Sequence, residues 1–129
     1  MSKEALERVM EELPNLTTSG FWQPWRYRQL TREERKAKFR ELREDLLSPY
    51  YLDGFERACS WLSRQKRTKH INRRAGCTYR LKHVAEREAG YSANGSFMAA
   101  AVACGFKWKC PQDGESIWIN ISRDCYKSR

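Results

Sequence analysis

The chain has 129 residues, 40% of them hydrophobic, with five Trp, six Tyr and five Phe, and its 25 Lys and Arg stand against 16 Asp and Glu for a net charge of +9. That much apolar material builds one compact domain over residues 1–129 and excludes a chain disordered throughout. The charge excludes an acidic mimic of nucleic acid and favours a partner that presents phosphates or acidic side chains.

In residues 3–13, Leu6, Val9, Met10 and Leu13 recur at helical spacing behind Ser2 as a cap, and Pro14 stops the segment. This stretch has no apolar run, so it reads as neither a signal peptide nor a membrane segment. The five cysteines, odd in number and without a CxxC pair, fit a reduced cytosolic or nucleoid setting, and the triplets at Asn15, Asn94 and Asn120 carry no weight as glycosylation signals.

Residues 17–30, "TTSGFWQPWRYRQL", read as an irregular connection. Trp22, Trp25 and Tyr27 either pack over the core or, beside arginines, stack unpaired bases. Thr31 and Glu34 form a capping box that opens a helix over 32–47, with Phe39, Leu42 and Leu46 on its apolar stripe and Glu34–Lys38 as an i,i+4 pair on its exposed side. Asp53 and Glu56 repeat the capping pattern ahead of Phe55, Ala58, Cys59 and Leu62, predicting a third helix that runs on into a basic stretch.

Thr78 caps a fourth helix, with Leu81, Val84 and Ala85 facing inward and Gly90 as its stop; Asn94 caps a fifth, "GSFMAAAVAC", closed by Gly105. Beyond it the period changes to two, and "FKWKC" and "ESIWINIS" flank "PQDG" with Ile117, Ile119 and Ile121 on one face of a hairpin. The expected fold is therefore mainly α with a small C-terminal antiparallel β-hairpin (α+β). It has about five helices, of which the last two form a helix-turn-helix-like pair.

The most unusual stretch is 64–74, "RQKRTKHINRR", in which no acid interrupts the basic residues; the acid-free run continues through Arg80 and Lys82. Adjacent cations that reach consecutive phosphates release counterions and bind nucleic acid in a salt-dependent way. The candidate binding residues are Arg64, Lys66, Arg67, Lys69, His70, Arg73, Arg74, Arg80 and Lys82. Catalysis finds no comparable signal: His70 and His83 are the only histidines, no nucleophile is linked to either, and there is no phosphate-binding glycine loop. His83 and Glu86 lie one helical turn apart but make only two ligands, so no metal and no cofactor is expected. The helix pair and hairpin have the layout of a winged helix, yet "NGSFMAAAVAC" holds no Lys or Arg and reads as a core helix.

Residues 78–108, "TYRLKHVAEREAGYSANGSFMAAAVACGFKW", resemble small proteins carried by phages and other mobile elements, which share a Tyr-x-Leu-Lys-His start, an Asn-Gly turn and an Ala-rich helix ending in Gly-Phe. Tyr79, Leu81, Lys82, His83, Asn94, Gly95, Phe97, Gly105 and Phe106 carry the likeness over about a quarter of the chain. The resemblance implies an accessory role such as an anti-CRISPR-like defence inhibitor. The expectation is thus a non-enzymatic inhibitor that binds a host defence protein or nucleoprotein complex, or DNA or RNA directly, through its basic surface and without a membrane. The alternative is a winged-helix-like DNA-binding transcriptional regulator.

Overall fold

The run from Gly95 to Ala101 gives a helix small residues around two large apolar ones and no polar face, so it is stable only when surrounded. The computed structural model, which describes residues 2–111 and 114–127, surrounds it. The elements are helix α1 (Ser2–Glu12), strands β1 (Leu16–Thr17) and β2 (Gly20–Phe21), and helices α2 (Arg32–Glu44), α3 (Pro49–Ser63), α4 (Thr78–Ala89) and α5 (Asn94–Ala103). Strands β3 (Trp108–Lys109) and β4 (Trp118–Ile119) follow. Helix α5 packs on α3, α1 and α4, and Asn94 through Ala101 are all buried. Its small residues let neighbouring backbone come close: a Cβ on Gly95 would lie 1.8 Å from the Thr17 carbonyl oxygen, and the Gly95 N–H donates to Thr18 O at 3.0 Å. Its far end closes in a Schellman arrangement, Phe106 N to Ala101 O and Gly105 N to Val102 O, with Gly105 at φ 82°.

The mainly helical α+β architecture matches the sequence expectation, with differences at several boundaries. Glu34 completes the Thr31 capping box in both directions, so its carboxylate is turned back on the helix start and Lys38 pairs with Glu41 at 3.3 Å instead. Arg43 reaches from α2 to the carbonyls of Met10, Leu13 and Leu16, closing α1, whose own last turn carries no basic residue. Helix α3 begins at Pro49 after Ser48, not at Asp53, because proline's fixed φ suits the first helical position. It ends at Ser63, so the basic stretch leaves the helix; the chain beyond pairs with the C-terminal segment, Thr68 N to Asn120 O at 2.8 Å and Asn72 N to Ile119 O at 3.0 Å. Strands β1 and β2 form a second small hairpin, Leu16 opposite Phe21 and Thr17 opposite Gly20, inside what reads as an irregular connection.

Two expected caps serve other ends. Cys77 precedes α4, while the Thr78 hydroxyl accepts from Ile117 N and the Thr78 N–H donates to Ile117 O, tying the helix start to the hairpin. Ala93 precedes α5, and the Asn94 amide donates to Ser19 O and Ser116 Oγ. The C-terminal hairpin pairs Trp108 with Ile119 and Lys109 with Trp118, and Ile117, Ile119 and Ile121 are buried in the core as the period-two pattern requires. Part of its expected turn, positions 112 and 113, lies outside the described residues. Among the described residues no helix is long and apolar enough to cross a membrane.

The close approach at Gly95 gives a direct test. Gly95→Ala drives a methyl into a backbone carbonyl and is expected to lower unfolding free energy by about 3 kcal/mol or more, the upper end of overpacking costs. Gly54→Ala meets Ser92 Cα at 3.3 Å while gaining helix propensity, and stays within about 1 kcal/mol of wild type. Urea melts followed by circular dichroism that rank the two variants the other way contradict the packing described.

Candidate functional site

The acid-free run becomes a ridge because its backbone is fastened along the C-terminal hairpin. Asn120 is the main fastening: its N–H and Oδ1 bond Lys107, and its carbonyl and Nδ2 bond Thr68. Arg67 bridges Ile121 in antiparallel register, and Asn72 Nδ2 donates to Ile121 O at 2.9 Å. Arg64, Lys66, Arg67, Lys69, His70, Arg73, Arg74 and Arg80 are all exposed on this support.

Three of the guanidiniums lie over aromatic rings supplied by other segments. Arg67 stands 4.1 Å from the Phe106 centroid, Arg73 4.4 Å from Trp118 and Arg80 5.3 Å from Tyr126. Each contact contributes about 0.5–1 kcal/mol and restricts a side chain that otherwise holds about 2 kcal/mol of rotamer entropy. Arg67 also donates to Cys104 O at 2.5 Å, a cation at the negative end of α5. The acids that approach are few: Glu88 lies 3.9 Å from Arg64, and Asp124 lies 3.6 Å from Lys66 and 3.3 Å from Lys127. Lys69 and Arg74 make no side-chain ion pair or ring contact among the described residues.

Folding adds cations that lie outside the run. Lys107 Nζ donates to Lys69 O at 2.7 Å, and Lys109 sits opposite Trp118, on whose ring Arg73 rests. Their signal in the sequence is the alternation of "FKWKC", which sends both lysines to one side of a strand.

Lys82 departs from the ridge. It is 5% exposed, its Nζ is 3.0 Å from Glu86 Oε1, and it stands 4.8 and 5.5 Å from the Tyr91 and Tyr79 ring centroids. It belongs to a cleft of about 900 Å³ whose wall includes Arg26, Tyr79, Lys82, His83, Tyr91 and Asn94. His83 Nδ1 is 3.5 Å from Glu86 Oε2 and its ring meets Tyr79 edge-on; Arg26 pairs with Glu115 across the opening. Among the described residues no group of three or more potential metal ligands is assembled.

The N-terminal aromatics divide. Trp22 stacks on Tyr27 at 4.7 Å and meets Phe39 of α2 edge-on at 5.2 Å, so both are engaged within the fold. Trp25 is 59% exposed and, with Phe21 and Trp108, edges a separate groove of about 490 Å³. No protein-family model, no curated protein and no solved structure matches the chain.

Burial pushes the Glu86 carboxyl up, but the hydrogen bond and charge of Lys82, followed by His83, outweigh it and hold the carboxyl below its ordinary 4.5. The stability from this pair is in place above pH 4.5 and is lost as pH falls through the lower folded value. Glu86→Gln is therefore expected to be less stable than wild type at pH 7, with the gap narrowing below pH 4.5 as the wild-type carboxylate is neutralised. A gap constant from pH 7 to pH 3 in urea melts removes the Lys82–Glu86 pair as its source.

Proposed function

We propose that this is a non-enzymatic binding protein that engages the phosphate backbone of nucleic acid through the ridge from Arg64 to Arg80, and that, as the phage and mobile-element resemblance implies, it blocks a nucleic-acid-handling defence complex in the bacterial cytoplasm. The observation that carries the reading is the set of three exposed guanidiniums held over Phe106, Trp118 and Tyr126 on a segment without acids. Guanidiniums fixed in place lose little further entropy on meeting phosphate, and their fork of donors matches its oxygens. The regulator reading draws no support from α5, whose burial leaves no face for a DNA groove.

Lys69→Glu with Arg74→Glu tests the ridge without disturbing a ring contact or an ion pair. Against labelled duplex and single-stranded oligonucleotides, wild-type affinity is expected to fall steeply between about 50 and 200 mM salt. The double variant should lower the log–log slope by about 2, one contact per residue removed. Equal slopes and equal affinities for the two proteins overturn the assignment.

A further inference from the structure

The cleft between the starts of α4 and α5 has a different chemistry from the ridge it adjoins. Its cations are matched by acids, Lys82 by Glu86 and Arg26 by Glu115, so it offers donors and acceptors in close alternation without a net field for phosphate. Lys82 Nζ, held 3.0 Å from Glu86 Oε1, is a fixed donor in the cleft wall, and Glu115 in the same wall is an acceptor, groups of the kind that the edge of a nucleobase complements. Tyr79 and Tyr91 flank Lys82 with rings 53% and 48% exposed, which gives planar apolar surface for stacking. Asn94, 7% exposed in the cleft wall, is fixed through its Nδ2, which donates to Ser19 O and Ser116 Oγ.

The cleft also adjoins the ridge along the chain. Cys77 and Tyr79 line it, and Arg80, next in the chain, is the last ridge cation. We infer that the cleft takes one unpaired base of a single strand whose phosphates lie on the ridge, with the base against Tyr79 or Tyr91 and its polar edge on Lys82. This inference rests on the ridge reading above. It makes the protein a reader of single-stranded nucleic acid, where the ridge alone accepts any backbone.

The experiment compares single-stranded and duplex oligonucleotides by fluorescence anisotropy for wild type, Tyr79→Leu, Tyr91→Leu and the ring-preserving Tyr79→Phe and Tyr91→Phe, each checked for folding by thermal melt. One or both leucine variants should weaken single-strand binding about 5- to 100-fold, the range for loss of one stacked base, with duplex affinity and salt slope unchanged and the phenylalanine variants restoring it. Single-strand affinity unchanged in both leucine variants, or lost equally with duplex affinity, overturns the cleft assignment and leaves the ridge standing. If wild type binds no nucleic acid at low salt, the ridge reading fails. Nucleoside monophosphates titrated against the Tyr79 and Tyr91 ring resonances then decide the cleft: shifts of either ring uphold a base site, and unmoved rings remove it.

Discussion

From Asn94 through Ala101, helix α5 has no solvent side, and the rest of the molecule is arranged to satisfy that condition. A helix of Gly, Ser and Ala around Phe97 and Met98 admits backbone to within a few ångströms, so β1 approaches Gly95 while α1, α3 and α4 cover the remaining surface. Both functional regions sit at the ends of this helix. At its start, Asn94 ties the β1–β2 turn to the C-terminal segment through Ser19 and Ser116 and forms part of the cleft wall. At its finish, the Schellman closure sets Phe106 beneath Arg67, and Arg67 in turn donates to the exposed Cys104 carbonyl. The negative end of the helix thus helps to fix one guanidinium of the ridge.

The absence of acids from residues 64–82 follows from how that segment is held. Its backbone gets its order from Asn120, Asn72 and the β4 strand, and three of its arginines, Arg67, Arg73 and Arg80, get theirs from rings. An acid inside the segment would draw a guanidinium away from its ring into a local pair, leaving the ring exposed and the cation neutralised. Among the described residues, Arg64 and Lys66 meet acids at the beginning of the run, where α4 and the C-terminal turn pass close by, and Lys82 meets Glu86 at its end.

The helices were legible wherever their signal was local. The Thr31–Glu34 box, the stripes of α1 and α4, and the isoleucine alternation need only neighbours in sequence, and all of them appear in the fold. Signals that depend on distant partners misled. Asp53 and Glu56 have the spacing of a cap but lie inside a helix already started by Ser48 and Pro49, and Thr78 and Asn94 spend their side chains on the hairpin and the β1–β2 turn. The two-residue strands β1 and β2 are too short for any periodicity to announce them. In the candidate site, the exposed run was readable from composition, while Lys107, Lys109, Arg26 and Tyr91 join it only through folding.

Lys82 shows why a run of like charges in sequence is not yet a patch. It follows Leu81 and precedes Ala85 on the inward face of α4, and Glu86 stands at i,i+4, so helical periodicity turns this one cation toward the interior while Arg80, two residues earlier, points to solvent. A buried ammonium needs its charge balanced, and Glu86 with two tyrosine rings balances it. That balance removes Lys82 from any phosphate track and makes it a fixed donor beside a fixed acceptor. One turn of α4 therefore separates an exposed cation over a ring from a buried cation paired with an acid. In the proposed reading, that turn is where general attraction to a strand becomes selection of one base.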